Sequence, residues 1–191
     1  MKGIKGTHTE KNLLKSFAGE SQARNRYELF AKQAKKEGFE QIAAVFEETA
    51  LHEQQHARRM FDFLEGDMVE ITAVYPAGKV GTTLENLQAA ASGENEEWTD
   101  LYPEFAEVAR KEGFDVVAKL YDNICVAEKH HEERYLTLAK MVEENSVFFR
   151  QEEIVWTCRK CGFTHKGSTA PKACPTCAHP QAYFERKRVH W

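Results

Sequence analysis

The sequence predicts an all-α four-helix bundle followed by a small C-terminal domain with short β-strands. Residues from about 9 to 145 are rich in Ala, Glu, Lys, Leu and Gln and poor in Gly and Pro, a composition that favours helix. Residues from about 153 to 191 contain three of the five prolines and four of the five cysteines. Such a short stretch indicates a loop-and-strand module that needs a metal ion for stability. We therefore divide the chain into domains at residues 1–148 and 149–191.

Four helices, A to D, fit the first domain, and glycines mark most of their ends. Helix A begins near Thr9 and ends at Glu37, helix B follows Gly38 and ends at Glu65, helix C begins near Thr82, has a kink at Pro103 and ends at Glu112, and helix D follows Gly113 and ends near Asn145. The A–B and C–D connections are tight, whereas the B–C connection is long. This is the connectivity of ferritin-like bundles.

An internal repeat relates the two halves of the bundle. Asn12-Leu13 and Gly19-Glu20 recur 74 residues later as Asn86-Leu87 and Gly93-Glu94, whereas Glu53 and His56 recur 75 residues later as Glu128 and His131. The second half is therefore the first half with one inserted residue. We expect the two helical hairpins to pack with pseudo-twofold symmetry.

Each predicted helix carries glutamate on its apolar face. These residues are Glu20, Glu53, Glu94 and Glu128, with a fifth, Glu97, on helix C. His56 and His131 each follow a glutamate by three residues, so each pair shares a helical face. Burying five carboxylates without counter-ions would outweigh a domain stability of ~5–15 kcal/mol. One Glu from each of two helices and Glu-x-x-His from each of the others is a di-iron or di-manganese carboxylate pattern.

The alternative is that these residues are solvent-exposed and that the assigned faces are wrong. A single Glu-x-x-His motif would favour that interpretation. Two such motifs at one repeat offset, with a lone glutamate duplicated at nearly the same offset, favour a dinuclear metal site instead.

Glu97 breaks the symmetry of the predicted site, because Ala23 occupies the equivalent position in the first half. Our hypothesis is that Glu53 and Glu128 bridge two metal ions and that Glu97 competes with His56 for one of them. With five carboxylates, the formal charge is the same for two ferrous ions as for two ferric ions with an oxo bridge. The site could then cycle two electrons without changing its buried charge.

Other residues near the site have less definite roles. His52 and His130 lie beside the proposed ligands, and the register of the repeat favours His131 over His130. Tyr27 and Tyr102 could hydrogen-bond to ligand carboxylates or could be ordinary buried aromatics. Cys125 is expected to fill the core.

The C-terminal domain contains two Cys-x-x-Cys pairs, Cys158/Cys161 and Cys174/Cys177, separated by twelve residues. This spacing is typical of a tetrahedral metal site. Thiolate geometry alone allows either zinc or iron. A structural zinc ribbon is the simpler interpretation, but a one-electron iron centre has a use beside a redox-active dinuclear site.

Composition excludes several classes of function. The formal net charge of −4 leaves no polybasic footprint, so nucleic acid is not an expected partner. No apolar run approaches the ~20 residues of a membrane span, and the N-terminal residues lack the apolar region of a signal peptide. Clustered cysteines indicate metal ligation in a reducing compartment. We expect a soluble cytoplasmic protein that does not bind membranes.

Together these motifs resemble those of the rubrerythrin family, over essentially all 191 residues. The resemblance rests on Glu20, Glu53-x-x-His56, Glu94-x-x-Glu97, Glu128-x-x-His131 and Cys158-x-x-Cys161 with Cys174-Pro175-x-Cys177. It implies a ferritin-like domain with two iron ions and a rubredoxin-like domain with one iron held by four thiolates, a position that zinc could take in the isolated protein.

The resemblance also implies an activity, namely reduction of hydrogen peroxide to water in defence against oxidative stress. It implies a homodimer in which the rubredoxin-like centre of one subunit feeds the partner's di-iron site. An external rubredoxin or NAD(P)H-dependent reductase would supply electrons, since this chain has no Gly-x-Gly-x-x-Gly fingerprint. We expect Glu97, His56, Tyr27 and Tyr102 to take part in catalysis, two electrons from the ferrous ions cleaving the O–O bond.

The sequence leaves two rival functions open. One is iron oxidation and storage of the ferritin type, which would not need the cysteine-bound centre. The other is a zinc-ribbon interaction module attached to a metal-binding bundle.

Overall fold

The computed structural model describes residues 3–187, so the outer limits predicted for the two domains, residues 1 and 191, lie outside the described part. The helices are α1 (His8–Lys36), α2 (Glu40–Phe61), α3 (Thr83–Glu96), α4 (Tyr102–Glu112) and α5 (Asp115–Glu143), and the strands are β1 (Phe149–Cys158), β2 (Thr164–Thr169) and β3 (Phe184–Arg186). A π-helical turn, Glu97–Leu101, joins α3 to α4 as one long third helix. The predicted fold class, a four-helix bundle with a small C-terminal sheet, is confirmed.

Most helix ends lie close to the residues that the sequence predicts. Thr7 caps α1 by accepting a hydrogen bond from the Glu10 N–H. Gly38 and Gly113, at equivalent positions in the two tight hairpins, both have φ of 84°, which a residue with a Cβ adopts only with strain. Helix B ends earlier than predicted, at Phe61, because the chain tightens into turns that bond Phe63 N to Met60 O and Leu64 N to Phe61 O.

The interruption of the third helix lies at Glu97–Leu101 and not at Pro103 itself. Tyr102 N–H donates to Glu97 O, five residues back, which is the π-helical pattern. Pro103 stands in the first turn of α4, where its missing N–H leaves no helical bond unmade. The repeat offset changes from 74 at Glu94 to 75 at Tyr102, so the inserted residue falls within this turn.

The pseudo-twofold symmetry is visible in a pair of equivalent caps. Glu37, just after α1, accepts a hydrogen bond from Thr83 N at the start of α3, at 3.0 Å. Glu112, at the end of α4, accepts one from Thr9 N in the first turn of α1, at 2.8 Å. Each carboxylate satisfies free N–H groups and faces the positive end of a helix dipole. These contacts fix the relative height of the two hairpins.

Two apolar clusters fill the bundle, one toward each end. Tyr27, Phe46 and Tyr135 are buried in the first, and Tyr102 and Tyr121 are buried in the second. Along each long helix, the predicted glutamate comes between residues of one cluster and residues of the other. The two clusters therefore leave a polar layer in the middle of the bundle.

The C-terminal domain is an antiparallel sheet with strand order β2–β1–β3. Trp156 and Phe184 are buried with Cys158 and Cys174 in its small core. Phe148, the residue before β1, packs against both the bundle and this small core, and its ring stacks on that of Phe39 near the α1–α2 hairpin with centroids 6.2 Å apart. Among the described residues, no helix is both long enough and apolar enough to cross a membrane.

Candidate metal centres

The polar layer of the bundle contains one buried glutamate from each long helix. Glu20, Glu53, Glu94 and Glu128 are each no more than 1% exposed. Each stands on the inward face that the spacing of apolar residues predicts, and the aromatic clusters above and below exclude water from them. His56 and His131 follow one helical turn after Glu53 and Glu128 and face the same layer.

These side chains form two overlapping groups that could each hold a cation. Glu20, Glu53, His56 and Glu128 make the first group, and Glu53, Glu94, Glu128 and His131 make the second, with the potential ligand atoms of each group within 4.8 Å of one another. His56 Nδ1 lies 2.9 Å from Glu53 Oε2 and 2.9 Å from Glu128 Oε1. His131 Nδ1 lies 3.3 Å from the other oxygen of Glu53 and 2.7 Å from the other oxygen of Glu128. Each shared carboxylate thus presents one oxygen to each group, which is the geometry of a bridging ligand.

Most of the buried polar atoms that lack a hydrogen-bond partner within residues 3–187 belong to this layer. They are Glu20 Oε2, Glu94 Oε2, both carboxylate oxygens of Glu53 and of Glu128, and Nδ1 of both histidines. Leaving one such atom unpaired costs roughly 1–3 kcal/mol, and more when it is charged. Carboxylate oxygens and imidazole nitrogens suit iron, manganese and zinc. The residues therefore fit a pair of divalent metal ions.

The electrostatics of the layer also favour bound cations. Burial, followed by the charge of Glu53, raises the pKa of Glu94 to about 8. Burial and the charge of Glu97 raise the pKa of Glu20 well above its ordinary value. Burial raises the pKa of Glu128 as well, yet the close approach of the His131 and His56 rings outweighs it and lowers that pKa to about 2. A carboxylate here ionises readily only beside a positive group.

Tyr27 and Tyr102 hold the two carboxylates that are not shared. Tyr27 Oη donates a 2.5 Å hydrogen bond to Glu94 Oε1, and Tyr102 Oη donates one of 2.5 Å to Glu20 Oε1. Burial raises the pKa of both tyrosines well above the ordinary value, so each hydroxyl keeps its proton. In each glutamate the other oxygen, Oε2, is buried and has no hydrogen-bond partner among the described residues.

Glu97 lies near the layer but belongs to neither group. It is half-buried and begins the π-helical turn. Burial and the charges of Glu94 and Glu128 raise its pKa well above the ordinary value. The next residue, Trp98, donates from Nε1 to Glu132 Oε2 on α5 at 2.6 Å, which ties the turn to the helix that carries His131.

His52 contacts His131, although the sequence placed it only near the proposed ligands and gave it no role. Its Nδ1 lies 3.1 Å from His131 Nε2. The available signal was its position four residues before His56, which puts both on one face of α2. His130 is exposed, as the register of the repeat predicts. Burial raises the pKa of the half-buried Cys125 to about 11, so it stays a thiol.

The four cysteines of the C-terminal domain form a separate group with all sulfurs within 4.8 Å of one another. Cys158 Sγ lies 3.8 Å from Cys177 Sγ, and Cys161 Sγ lies 3.6 Å from Cys174 Sγ. Tetrahedral ligands at ~2.3 Å from a metal have sulfurs about 3.8 Å apart, so the group fits one ion. Although burial raises the pKa of Cys174, backbone N–H groups of Cys177 and Thr176 lower it to about 6. That thiolate forms readily.

Comparison with known proteins matches two family models to separate parts of the chain. A family model described as Rubrerythrin matches residues 11–139, and one described as "Rubrerythrin, rubredoxin-like domain" matches residues 156–185. The rubrerythrin of Porphyromonas gingivalis is 60% identical over 190 residues, which is 100% of this chain and 95% of that protein. The rubrerythrin of Nitratidesulfovibrio vulgaris is 51% identical over 191 residues, covering 100% of both chains.

Solved structures resemble this one in fold. Fully reduced, all-ferrous nigerythrin has a TM-score of 0.63 at 29% identity, covering 97% of this chain and 92% of that one. Bacterioferritin of Mycobacterium tuberculosis has a TM-score of 0.63 at 21% identity, covering 75% and 90%, which shows a shared fold and nothing more.

Proposed function

The chain belongs to the rubrerythrin family, and we propose that it is a non-haem di-iron peroxidase that reduces hydrogen peroxide to water. The observation that carries this proposal is the presence, in one chain, of two overlapping carboxylate–histidine groups and a separate four-thiol group. A dinuclear site can exchange two electrons, which is the number that peroxide reduction requires. A four-thiol iron site exchanges one electron at a time.

In this proposal the dinuclear centre has two terminal ligand pairs and two bridges. Glu20 with His56 and Glu94 with His131 would hold one ion each, while Glu53 and Glu128 would contribute a ligand oxygen to both. When bound, two ferrous ions would supply the electrons that cleave the O–O bond. That nigerythrin has been solved in an all-ferrous state and in a mixed-valence state supports iron as the metal, because it is a relative with the same fold.

The chain's own residues would manage ligand changes and protons. Glu97 lies near the layer, and burial with the charges of Glu94 and Glu128 raises its pKa, so it can bring a proton or replace His56 as a ligand. The side chain of His56 is 16% exposed, against 3% for His131, which leaves its ring more room to turn. Tyr27 and Tyr102 would keep Glu94 and Glu20 oriented while the bound metal changes charge. Protonated Glu97 can then give its proton to a departing oxygen.

Electrons would reach the bundle through Cys158, Cys161, Cys174 and Cys177. Cys161 is exposed, so an external donor can approach this site closely. We propose that the donor is a rubredoxin or an NAD(P)H-dependent reductase, and that the protein is a cytoplasmic homodimer in which one subunit's four-cysteine centre serves the partner's bundle. Free cysteines at all four positions agree with a reducing compartment.

Stopped-flow mixing tests the proposal. Fully reduced, iron-loaded protein is mixed with hydrogen peroxide and, separately, with dioxygen, and oxidation of the bundle is followed by absorbance. We expect peroxide to react much faster than dioxygen. A dioxygen reaction as fast as the peroxide reaction would contradict peroxidase function and favour iron oxidation of the storage type. Metal analysis of the same samples separates a four-cysteine iron centre from a zinc ribbon.

A further inference from the structure

The two histidines of the bundle layer face the shared carboxylates in the same way. His131 Nδ1 lies 2.7 Å from Glu128 Oε2, and His56 Nδ1 lies 2.9 Å from Glu128 Oε1. The Nδ1 atom of each ring is therefore the one that a metal ion would bind. This leaves Nε2 of each ring free to be held by some other group.

The side chains available to contact Nε2 differ between the two rings. His131 Nε2 is 3.1 Å from His52 Nδ1, with the two rings nearly parallel at 11°. His52 belongs to α2 and His131 to α5, so this contact crosses between the hairpins. The repeat places Ala127 of α5 at the position equivalent to His52, and an alanine side chain offers His56 no hydrogen bond.

We propose that His52 is a positioning residue that fixes the ring orientation and the tautomer of His131. A metal-binding Nδ1 carries no proton, so the proton of neutral His131 sits on Nε2. His52 Nδ1 accepts that proton in a hydrogen bond, and the proton of His52 itself then sits on its own Nε2. Such bonds orient a ligating imidazole and raise its basicity. The inference rests on the dinuclear site proposed above.

The consequence is that the two ends of the centre differ in rigidity. His131 is held at Nε2 and faces Glu94, which Tyr27 also holds. His56 receives no such bond from position 127, and its side chain is 16% exposed, against 3% for that of His131. Position 52, where the second half of the repeat has Ala127, therefore marks the fixed end of the centre.

Two substitutions at position 52 separate hydrogen bonding from packing. His52→Leu keeps the bulk of the side chain but removes the acceptor, whereas His52→Gln keeps an acceptor oxygen. His130→Leu is the matched control, since His130 is an exposed neighbour of His131. Metal-free full-length proteins are titrated with ferrous iron without oxygen. The loaded proteins are then examined by proton NMR for the paramagnetically shifted ring N–H signals of the bound histidines.

In wild type we expect one ring N–H that exchanges slowly with solvent, from His131, and one that exchanges fast, from His56. His52→Leu should lose the slowly exchanging signal and should bind one of the two ferrous ions about 10–100-fold more weakly. Its affinity for the other ion should stay close to that of wild type. His52→Gln and His130→Leu should keep both properties.

Equal exchange of the two N–H signals in wild type would overturn the inference even if His52→Leu failed to fold. An equal loss of ferrous affinity in His52→Leu and His52→Gln would also overturn it, because packing alone would explain the effect. If wild type itself bound no pair of ferrous ions in the bundle, the proposed function would be wrong, which is a different result.

Discussion

Tyr102 donates a 2.5 Å hydrogen bond to Glu20 from a neighbouring helix, and Tyr27 makes the equivalent bond to Glu94. Each bond therefore joins one hairpin to the other at the level of the carboxylate layer. It uses one oxygen of the glutamate and leaves the second without a hydrogen-bond partner among the described residues. Two buried hydroxyls thus connect the packing of the bundle to the geometry of its centre.

Replacing Tyr102 by Phe should affect both stability and metal binding. We expect the free energy of unfolding of the metal-free protein to fall by about 0.5–1.5 kcal/mol, and ferrous iron to bind about tenfold more weakly. Tyr121→Phe is the control, because the hydroxyl of Tyr121 shares a buried 3.1 Å hydrogen bond with Ser16 instead of with a carboxylate of the layer. It should lose similar stability in urea unfolding and keep its iron affinity. Equal iron affinity in the two variants would contradict the role of Tyr102.

Replacing Cys161 by Ser should disconnect the two centres. The exposed position of Cys161 makes collapse of the small core less of a risk than at buried Cys158 or Cys174. We expect the visible absorbance of the ferric thiolate to change and steady-state peroxide reduction with an external donor to fall by at least about tenfold. When the metal site of the bundle is first reduced chemically, its single oxidation by peroxide should keep the wild-type rate. Unchanged steady-state turnover would show that electrons enter by another route.

The candidate ligands could be predicted from the sequence more completely than the structure that surrounds them. Buried glutamates at a constant repeat offset have few interpretations, so Glu53-x-x-His56 and Glu128-x-x-His131 could be found without coordinates. The inserted residue could also be detected. The backbone structure around it could not, because a π-helical turn and a proline kink both interrupt a helical pattern. The contact between His52 and His131 was not predictable, since it depends on how α2 and α5 pack and has no counterpart in the repeat.

Replacing Glu97 by Gln should slow oxidation of the reduced bundle by peroxide. Glutamine can neither bring a proton nor bind a metal ion as an anion, so we expect the stopped-flow rate to fall by about 10²-fold, the lower end of general acid–base effects. The adjacent exposed Glu96 provides the control, and Glu96→Gln should react at the wild-type rate. A Glu97→Gln rate equal to that of the control would remove Glu97 from the mechanism.

The metal-free protein should lose stability as pH rises from 6 to 8. Burial and neighbouring carboxylates raise the folded-state pKa of Glu94 to about 8. Burial lowers the pKa of His131, but the nearby carboxylates of Glu128 and Glu53 outweigh burial and raise it to about 12. The folded state therefore holds more protons than the unfolded state in this range, and stability falls with pH by up to about 1.4 kcal/mol per unit for each proton. Glu128, with its pKa lowered to about 2, keeps its charge throughout.

Urea unfolding at pH 6, 7 and 8 measures this slope. With iron bound the trend should reverse, because the metal ions replace protons and bind more tightly as pH rises. A metal-free protein whose stability rose between pH 6 and 8 would show that these carboxylates and histidines do not share protons in the folded state.

Giving His56 the kind of support that His131 has should slow turnover. Ala127→Gln places an amide oxygen at the position equivalent to His52, where it can accept the Nε2 proton of His56. One added hydrogen bond of about 1.4 kcal/mol corresponds to a tenfold slower departure of His56 from its ion. If Glu97 replaces His56 during the reaction, oxidation by peroxide should slow by about that factor while ferrous affinity stays equal or rises. Ala127→Leu adds bulk without an acceptor and should react at the wild-type rate. Equal rates in all three proteins would mean that His56 stays in place throughout the cycle, and Glu97 would then act only as a proton carrier.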